Sequence, residues 1–261
     1  RNFYNDLTDL LIQLDQIYDA DFYYSAPIGA FIEILLDMDE YLDDREQLLD
    51  RLNDLSFIDI QQIFKKHYRR HNRELRDHRS SESRNTKILV QRMKKISDRY
   101  SRILVVRVDL AYPLKYQDQI GIQEFSDDMN VLRTRLRDQD TIFRGLIEYA
   151  WALEQGEEKG YHCHLVLFFN GHVKQDGWGI AHQVGKEWKK ITGKLGSFFN
   201  CHDPEQIQEY TELGILGIGR IHRNNPTEVE KMINAVRYLV RPEKDAQHLR
   251  VKCKAKMRTF Q

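Results

Sequence analysis

The amino-acid sequence predicts an α+β protein in which an all-α helical domain, residues 1–84, precedes an antiparallel sheet with flanking helices, residues 85–261. Apolar residues recur at helical spacing through residues 1–77, with Asp and Gln between them. Beyond a polar run at 78–85, helical stretches alternate with apolar, β-branched runs of strand length. This alternation, which includes one hairpin, is typical of an antiparallel sheet backed by helices.

Four amphipathic helices are expected in the N-terminal domain, near residues 7–18, 25–35, 42–52 and 56–76. The second has a well-defined start, because Ser25 is a favourable N-cap and Pro27 follows just inside the helix. The polar run at 78–85 is interpreted as the linker between the two domains.

The second domain is expected to alternate strands and helices. Strands are predicted near residues 102–110, 142–153, 161–169 and 215–222, and helices near 86–99, 126–137, 178–192 and 226–240. A turn rich in Gly and Glu separates the second strand from the third, which predicts that these two strands form a hairpin.

Charge is segregated along a chain whose 40 basic and 40 acidic residues cancel. Residues 1–60 hold fifteen acids and three bases, a balance of −12. Residues 61–105 hold fourteen bases and four acids, a balance of +10, and residues 220–261 hold eleven bases and four acids, a balance of +7. Two basic blocks on a neutral chain indicate a local site for a polyanion. The acidic domain is expected to fold, because its apolar stripes demand a core, but not to bind DNA.

Cysteine usage and hydropathy favour a cytoplasmic protein. The three cysteines, Cys163, Cys201 and Cys253, have no paired spacing, so a disulfide framework is not expected. The apolar run at 103–106 is far too short to cross a bilayer, and the first residues lack the apolar core of a signal peptide. We therefore predict no membrane association.

The most informative motif is His162-Cys163-His164, which lies in the strand predicted at 161–169. Alternate residues of a strand share a face, so both imidazoles project to one side and Cys163 projects to the packed side. Two histidines this close can ligate one divalent ion. Such pairs also occur by chance on apolar strands, where they simply pack.

Glu154 adds a third candidate ligand. It precedes His162 by eight residues, and the predicted hairpin brings its carboxylate back beside the imidazoles. Two imidazoles and one carboxylate leave open positions on a six-coordinate Mg²⁺ or Mn²⁺. Glu157 and Glu158 compete for the same role, although acids in such a turn are more often simply solvated.

The last predicted helix carries a second candidate element. Tyr238 and Arg241 are three residues apart and share a helical face, and Lys244 follows after Pro242. A tyrosine beside cations is a reasonable nucleophile for a phosphodiester. The alternative is that Tyr238 only packs, as most of the thirteen tyrosines of the chain are expected to do.

These motifs, in this order, resemble those of a known protein superfamily. The strand RVDLAYP, then Glu154 with His162-Cys163-His164, then Tyr238-Leu-Val-Arg241 is similar to the three motifs of HUH-superfamily rolling-circle replication initiators. The segments YAWALEQGEEKGYHCHLVLFF and AVRYLVRPEKD resemble, more closely, the replication proteins of filamentous phages and their enterobacterial prophage relatives. The resemblance covers residues 100–261 and does not extend to the first 85.

The resemblance implies roles for individual residues. His162, His164 and Glu154 would hold the metal ion. Tyr238 would attack the scissile phosphate and stay joined to the 5′ end of the DNA.

One position departs from the family pattern, which usually has Lys three residues after the tyrosine, where this chain has Arg241. Arg cannot donate a proton as a perturbed Lys can. Either Arg241 only positions phosphate, or Lys244 takes the part of the lysine. Asp109 would orient a metal ligand or line the DNA groove, or would merely form a turn at the end of its strand.

The resemblance therefore implies a metal-dependent endonuclease that nicks and rejoins single-stranded or origin DNA and initiates rolling-circle replication in a bacterial host cell. Basic stretches at 65–102 and 244–258 are expected to contact the DNA backbone. The rival functions are an HUH relaxase or transposase, and a DNA-binding module without catalysis. The acidic domain is expected to compete with DNA, to dock a host helicase or replisome protein, or to be a plain appendage.

Overall fold

The structure is a computed structural model that describes residues 2–156, 159–240 and 248–261. For Val240 it describes the backbone alone. The chain forms two compact units. One contains Arg1–His78 and Arg250–Met257, and the other contains Arg79–Leu249 and Arg258–Gln261.

Among its described residues, the first unit contains three α-helices, the first part of a fourth and a two-stranded antiparallel sheet. The helices are α1 (Phe3–Asp15), α2 (Ala26–Asp37), α3 (Arg45–Asp54) and α4 (Phe57–Arg99), and the strands are β1 (Tyr23–Tyr24) and β7 (Val251–Lys252). The predicted apolar stripes form the core of this unit, which consists of Leu7, Leu11, Ile34, Leu35, Met38, Leu48, Leu52 and Ile60.

Two features of this region differ from the sequence prediction. The run at 78–85, interpreted as a linker, is helical and lies within α4. It contains no Gly or Pro, so its polar composition alone does not end the helix. The second difference is the two-stranded sheet of β1 and β7, which was not expected because residues 1–77 show helical spacing and two residues are too few to show a strand pattern.

The second unit is built on a five-stranded antiparallel sheet with flanking helices, which confirms the predicted α+β class. Its strands are β2 (Arg102–Ala111), β3 (Leu146–Gly156), β4 (Gly160–Asn170), β5 (Ser197–Asn200) and β6 (Gly219–His222). Its helices, besides the end of α4, are α5 (Ile122–Asp138), α6 (Gly177–Ile191), α7 (Pro204–Glu212) and α8 (Pro226–Arg237). The strand order is β3-β4-β2, after which β5 and β6 share the outer edge of β2.

The predicted hairpin is formed by β3 and β4, whose paired residues include Glu154 with His162. The strand expected at 215–222 is confined to its last four residues, and β5 and α7 were not predicted. The C-terminal residues 259–261 pair with the outer edge of β3 through hydrogen bonds to the backbone of Trp151 and Leu153.

The two faces of this sheet are covered by different helices. The end of α4 and the helix α8 pack on one face, over a core that includes Met93, Val105, Val166, Phe168 and Met232. On the other face, the indole N–H of Trp188 in α6 donates to Ala111, and the guanidinium of Arg133 in α5 lies over the ring of Trp151. At one end of the face covered by α4 and α8, the side chains are polar, and they form the site described below.

A buried histidine bridges the gap between β5 and β6. The outer edge of β2 pairs with β6 at residues 102–105 and with β5 at 108–111. The backbone N–H of Arg107 in this gap donates to Nε2 of His202 at 3.1 Å. Burial lowers the pKa of His202 to about 4, so the ring is neutral and can accept this hydrogen bond.

Among the described residues, every helix is too short or too polar to span a lipid bilayer.

Acid is expected to weaken the fold through His202. Its pKa is about 4 in the folded chain against an ordinary value of 6.5, so between these values the unfolded state takes up the proton first. The free energy of unfolding should therefore decrease as the pH falls through this interval, by up to about 3 kcal/mol from this group. Denaturant unfolding of the wild type and of His202→Gln at several pH values measures the effect.

The amide of His202→Gln can still accept from the Arg107 N–H but cannot be protonated, so this variant should lose less stability on acidification than the wild type. His172→Gln is the matched control, because it makes the same substitution at an exposed histidine. If acidification lowered the free energy of unfolding equally in the wild type and in His202→Gln, the role given to His202 would be contradicted.

Candidate metal centre and adjoining tyrosine

Strand pairing gathers four polar side chains on one face of the sheet. On the central strand β4, His162 lies opposite Glu154 of β3, and His164 lies opposite Asp109 of β2. Directly opposite residues of antiparallel strands project to the same side. Cys163, between the histidines, is fully buried on the other face, as the strand alternation predicted.

Both imidazoles converge on one carboxylate oxygen. Oε2 of Glu154 lies 3.3 Å from Nε2 of His162 and 3.2 Å from Nε2 of His164. All three side chains are buried, and one candidate ligand atom from each lies within 4.8 Å of the others. The structure therefore brings together the three residues that the sequence proposed as ligands, in a cluster that could hold a metal ion.

The outer nitrogens of both rings have partners that orient the rings. Nδ1 of His162 lies 3.0 Å from the carbonyl oxygen of Gly160, and Nδ1 of His164 lies 2.8 Å from Oδ1 of Asp109. Each ring could hold its proton on Nδ1 and offer the Nε2 lone pair to a bound ion, whereas without an ion a favourable contact with Glu154 requires a proton on Nε2. A carbonyl or carboxylate behind the ring is the usual arrangement around a metal-ligating histidine.

The charges around His164 favour a cation at this place. Burial alone would lower the pKa of His164, but hydrogen bonds to Asp109 and Glu154 outweigh burial and raise it. Burial would raise the pKa of Asp109, but the contacts with His164 and Arg107 outweigh that and hold it well below its usual range. A pocket that stabilises a proton between two carboxylates also suits a bound metal ion, which would compete for the same nitrogen.

Arg107 connects this cluster to Tyr238. Its Nε and Nη2 atoms donate to the two carboxylate oxygens of Asp109 at 3.2 and 3.1 Å. The Cζ atom of the same guanidinium lies 5.4 Å from the centre of the Tyr238 ring. Contacts therefore run from Tyr238 through Arg107 and Asp109 to His164. Sequence reasoning missed Arg107, although its spacing of two from Asp109 on a strand was a usable signal.

The helix α8 brings Tyr238 to this position. The side chain of Asn225 accepts from the Glu228 backbone N–H and caps the helix, and Pro226 follows as its first residue. Met232 and Val236 pack on the sheet, so the residue after the helix reaches the polar end of the same face. Tyr238 itself begins a short 3₁₀ turn and is 38% exposed.

Four sequence-predicted residues lie outside the described part of the chain. These are the candidate catalytic cations Arg241 and Lys244 and the competing ligands Glu157 and Glu158.

The sequence model of the YagK/YfjJ C-terminal domain family matches residues 64–260, which include every member of the cluster and Tyr238. The chain belongs to the YagK/YfjJ C-terminal domain family. This is a family of prophage and enterobacterial proteins, in agreement with the predicted prophage relatives. Neither a curated protein nor a solved structure matches the chain.

In this YagK/YfjJ family member, replacing both His162 and His164 with Ala should abolish Mn²⁺ binding, because only the Glu154 carboxylate would remain of the three ligands. Isothermal titration calorimetry of the wild type and the double variant measures the affinity and the number of ions bound. His172→Ala, which removes an exposed imidazole, is the matched control and should bind as the wild type does. Unchanged Mn²⁺ affinity in the double variant would place the ion elsewhere.

Proposed function

We propose that the protein is a metal-dependent endonuclease that nicks and rejoins single-stranded DNA through a covalent 5′-phosphotyrosine and thereby initiates rolling-circle replication. The observation that carries this proposal is the connection of a buried two-histidine, one-glutamate cluster to an exposed tyrosine through Arg107 and Asp109. Single-stranded or origin DNA is the partner that follows from it.

His162, His164 and Glu154 would hold the ion, and the fit rests on their converging atoms and on the acceptors behind both rings. Three protein ligands leave open coordination positions, which suits Mg²⁺ or Mn²⁺ at a catalytic site. When bound there, such an ion would polarise a phosphate oxygen and favour the charge that develops on it.

Tyr238 supplies the nucleophile in this mechanism. Its phenolic oxygen forms a bond to phosphorus, and the bond from phosphorus to the 3′ oxygen of the preceding nucleotide breaks. The phenolic proton is lost and the departing 3′ oxygen gains a proton. The phosphodiester is exchanged rather than hydrolysed, so a later attack by a 3′-hydroxyl can rejoin the DNA.

Arg107 acts as a positioning residue. Its guanidinium is held by two hydrogen bonds to Asp109, and it contacts the face of the Tyr238 ring, so the direction of the ring is coupled to the side chain behind His164. Such coupling would keep nucleophile and metal ligands in one arrangement while the scissile phosphate enters.

The buried cluster favours a single-stranded substrate. The ligand side chains are buried on one face of the sheet, so a phosphate has to bend inwards to reach an ion held by them. A single strand is flexible enough to follow the sheet. Basic residues on the end of α4, among them Arg84, Lys87, Lys94 and Lys95, would contribute salt-dependent backbone contacts.

Tyr238→Phe should eliminate the covalent protein–DNA adduct, because it removes only the attacking oxygen and preserves the packing of the ring. The assay incubates the protein with Mn²⁺ and a randomised pool of labelled single-stranded oligonucleotides and detects a band that resists denaturation. Affinity for the same DNA should stay near that of the wild type.

Tyr210→Phe is the matched control for this assay. Burial raises the pKa of Tyr210 to about 12, so its phenolate is scarce near neutral pH and adduct formation should persist without its hydroxyl. Persistence of the adduct in Tyr238→Phe would move the nucleophile to another residue. Absence of any adduct with the wild type would favour a DNA-binding module without catalysis.

Arg107→Lys should slow adduct formation by roughly 10- to 100-fold, because Lys keeps the charge but cannot make the paired contacts to Asp109. Single-turnover rates and DNA affinities of the wild type and the variant separate positioning from binding, and the affinity should be unchanged. Arg133→Lys, which alters a guanidinium on the opposite face of the sheet, is the control. An unchanged rate in Arg107→Lys would remove its positioning role.

A further inference from the structure

An exposed aromatic ring lies on the same sheet face as the candidate metal centre. Phe199 of the edge strand β5 pairs directly with Asp109 of β2, so both side chains project to the face that carries His164. The Phe199 side chain is 45% exposed. Single exposed rings are common on protein surfaces, but this one lies beside a polar site and next to further rings.

The opposite side of β5 carries a stack of further rings. Trp178, at the start of α6, is 46% exposed and lies parallel to His182, with ring centres 5.0 Å apart and planes 8° apart. His182 in turn meets Phe198 edge-on at 5.7 Å. The indole N–H of Trp178 donates to Asp203 at 2.7 Å, which fixes the ring in this position. We call Trp178, His182, Phe198 and Phe199 the aromatic edge.

We propose that the aromatic edge binds unpaired bases of the DNA strand that leads into the candidate metal centre. This inference rests on the proposed function and specifies where that substrate lies. Every base offers a flat π-face, so exposed rings at the border of a sheet can stack on a single strand of any sequence. The strand would pass from Trp178 around β5 to Phe199 and reach the cluster beside Asp109.

Charge near the aromatic edge fits a nucleic acid better than a hydrophobic protein partner. The ammonium group of Lys189 lies 5.4 Å from the centre of the Phe198 ring. Lys186 and Lys190 are exposed on the same helix, where they could meet phosphates between stacked bases. Asp203 and Asp176 accept hydrogen bonds from neutral N–H groups and keep their negative charge, and Lys190 also pairs with Glu187, so Lys186 and Lys189 are the cations that a phosphate would meet first.

The intrinsic fluorescence of Trp178 can report binding at this surface. Of its three tryptophans, Trp151 and Trp188 are fully buried, and Trp178 is exposed. A base that stacks on Trp178 should quench its fluorescence and leave the other two unaffected. The experiment titrates oligothymidylate into the full chain in EDTA, which prevents metal-dependent cleavage, and records tryptophan emission together with the anisotropy of labelled DNA.

We expect single-stranded DNA to quench the wild type, and a duplex of the same length to leave the emission unchanged because its bases are not available. Trp178→Phe should lose the quenching signal. Phe199→Ala should weaken binding by about tenfold, since one stacked base is lost. Phe57→Ala, which removes a ring that is 58% exposed in the helical unit, is the matched control and should bind as the wild type does.

Binding without quenching, or equal affinities of Phe199→Ala and the wild type, would overturn the proposal and leave the aromatic edge to another kind of partner, such as a protein. Because no cleavage occurs in EDTA, this outcome is independent of nicking. Quenching without any covalent adduct in Mn²⁺ would support the DNA-binding surface and reject the proposed chemistry. An adduct without quenching would support the chemistry and reject the DNA-binding role of the aromatic edge.

Discussion

A buried carboxylate shared by two imidazoles is the interaction on which the rest of the second unit depends. Burial of Glu154 is costly unless its oxygen atoms are paired, and the two Nε2 atoms at 3.2 and 3.3 Å provide that pairing. A slip of one residue between β3 and β4 would send Glu154 to the opposite face, among apolar side chains. The cluster therefore specifies the hairpin register, and the hairpin register in turn assembles the cluster.

The same sheet face changes character along its length, and this change creates the site. Along the part of the face covered by the end of α4 and by α8, the inward positions are apolar, as at Val105 and Val166. At the far end the same alternation places Asp109, His162 and His164 instead. The packing that stabilises α8 thus also determines where Tyr238 lies, so a site that depends on several strands is held by one hydrophobic core.

Much of this arrangement follows from local patterns, and the remainder depends on tertiary contacts. The shared face of the two histidines and the return of Glu154 follow from strand alternation and one turn, which the sequence contains. The contact between Arg107 and Tyr238 could not be predicted, because it depends on where the tertiary fold places Tyr238. The run at 78–85 was misinterpreted because polar composition suggested a linker where no helix-breaking residue is present. Strand β5, with its four residues, is too short to show periodicity.

The central claim is that His162, His164 and Glu154 hold one divalent ion. The most direct measurement is an anomalous difference map from a crystal of the protein soaked in Mn²⁺, with data collected at the manganese absorption edge. We predict a single peak about 2 Å from Nε2 of both histidines and from a carboxylate oxygen of Glu154. A fully occupied peak at other residues, with the three side chains still bonded only to each other, would contradict the account.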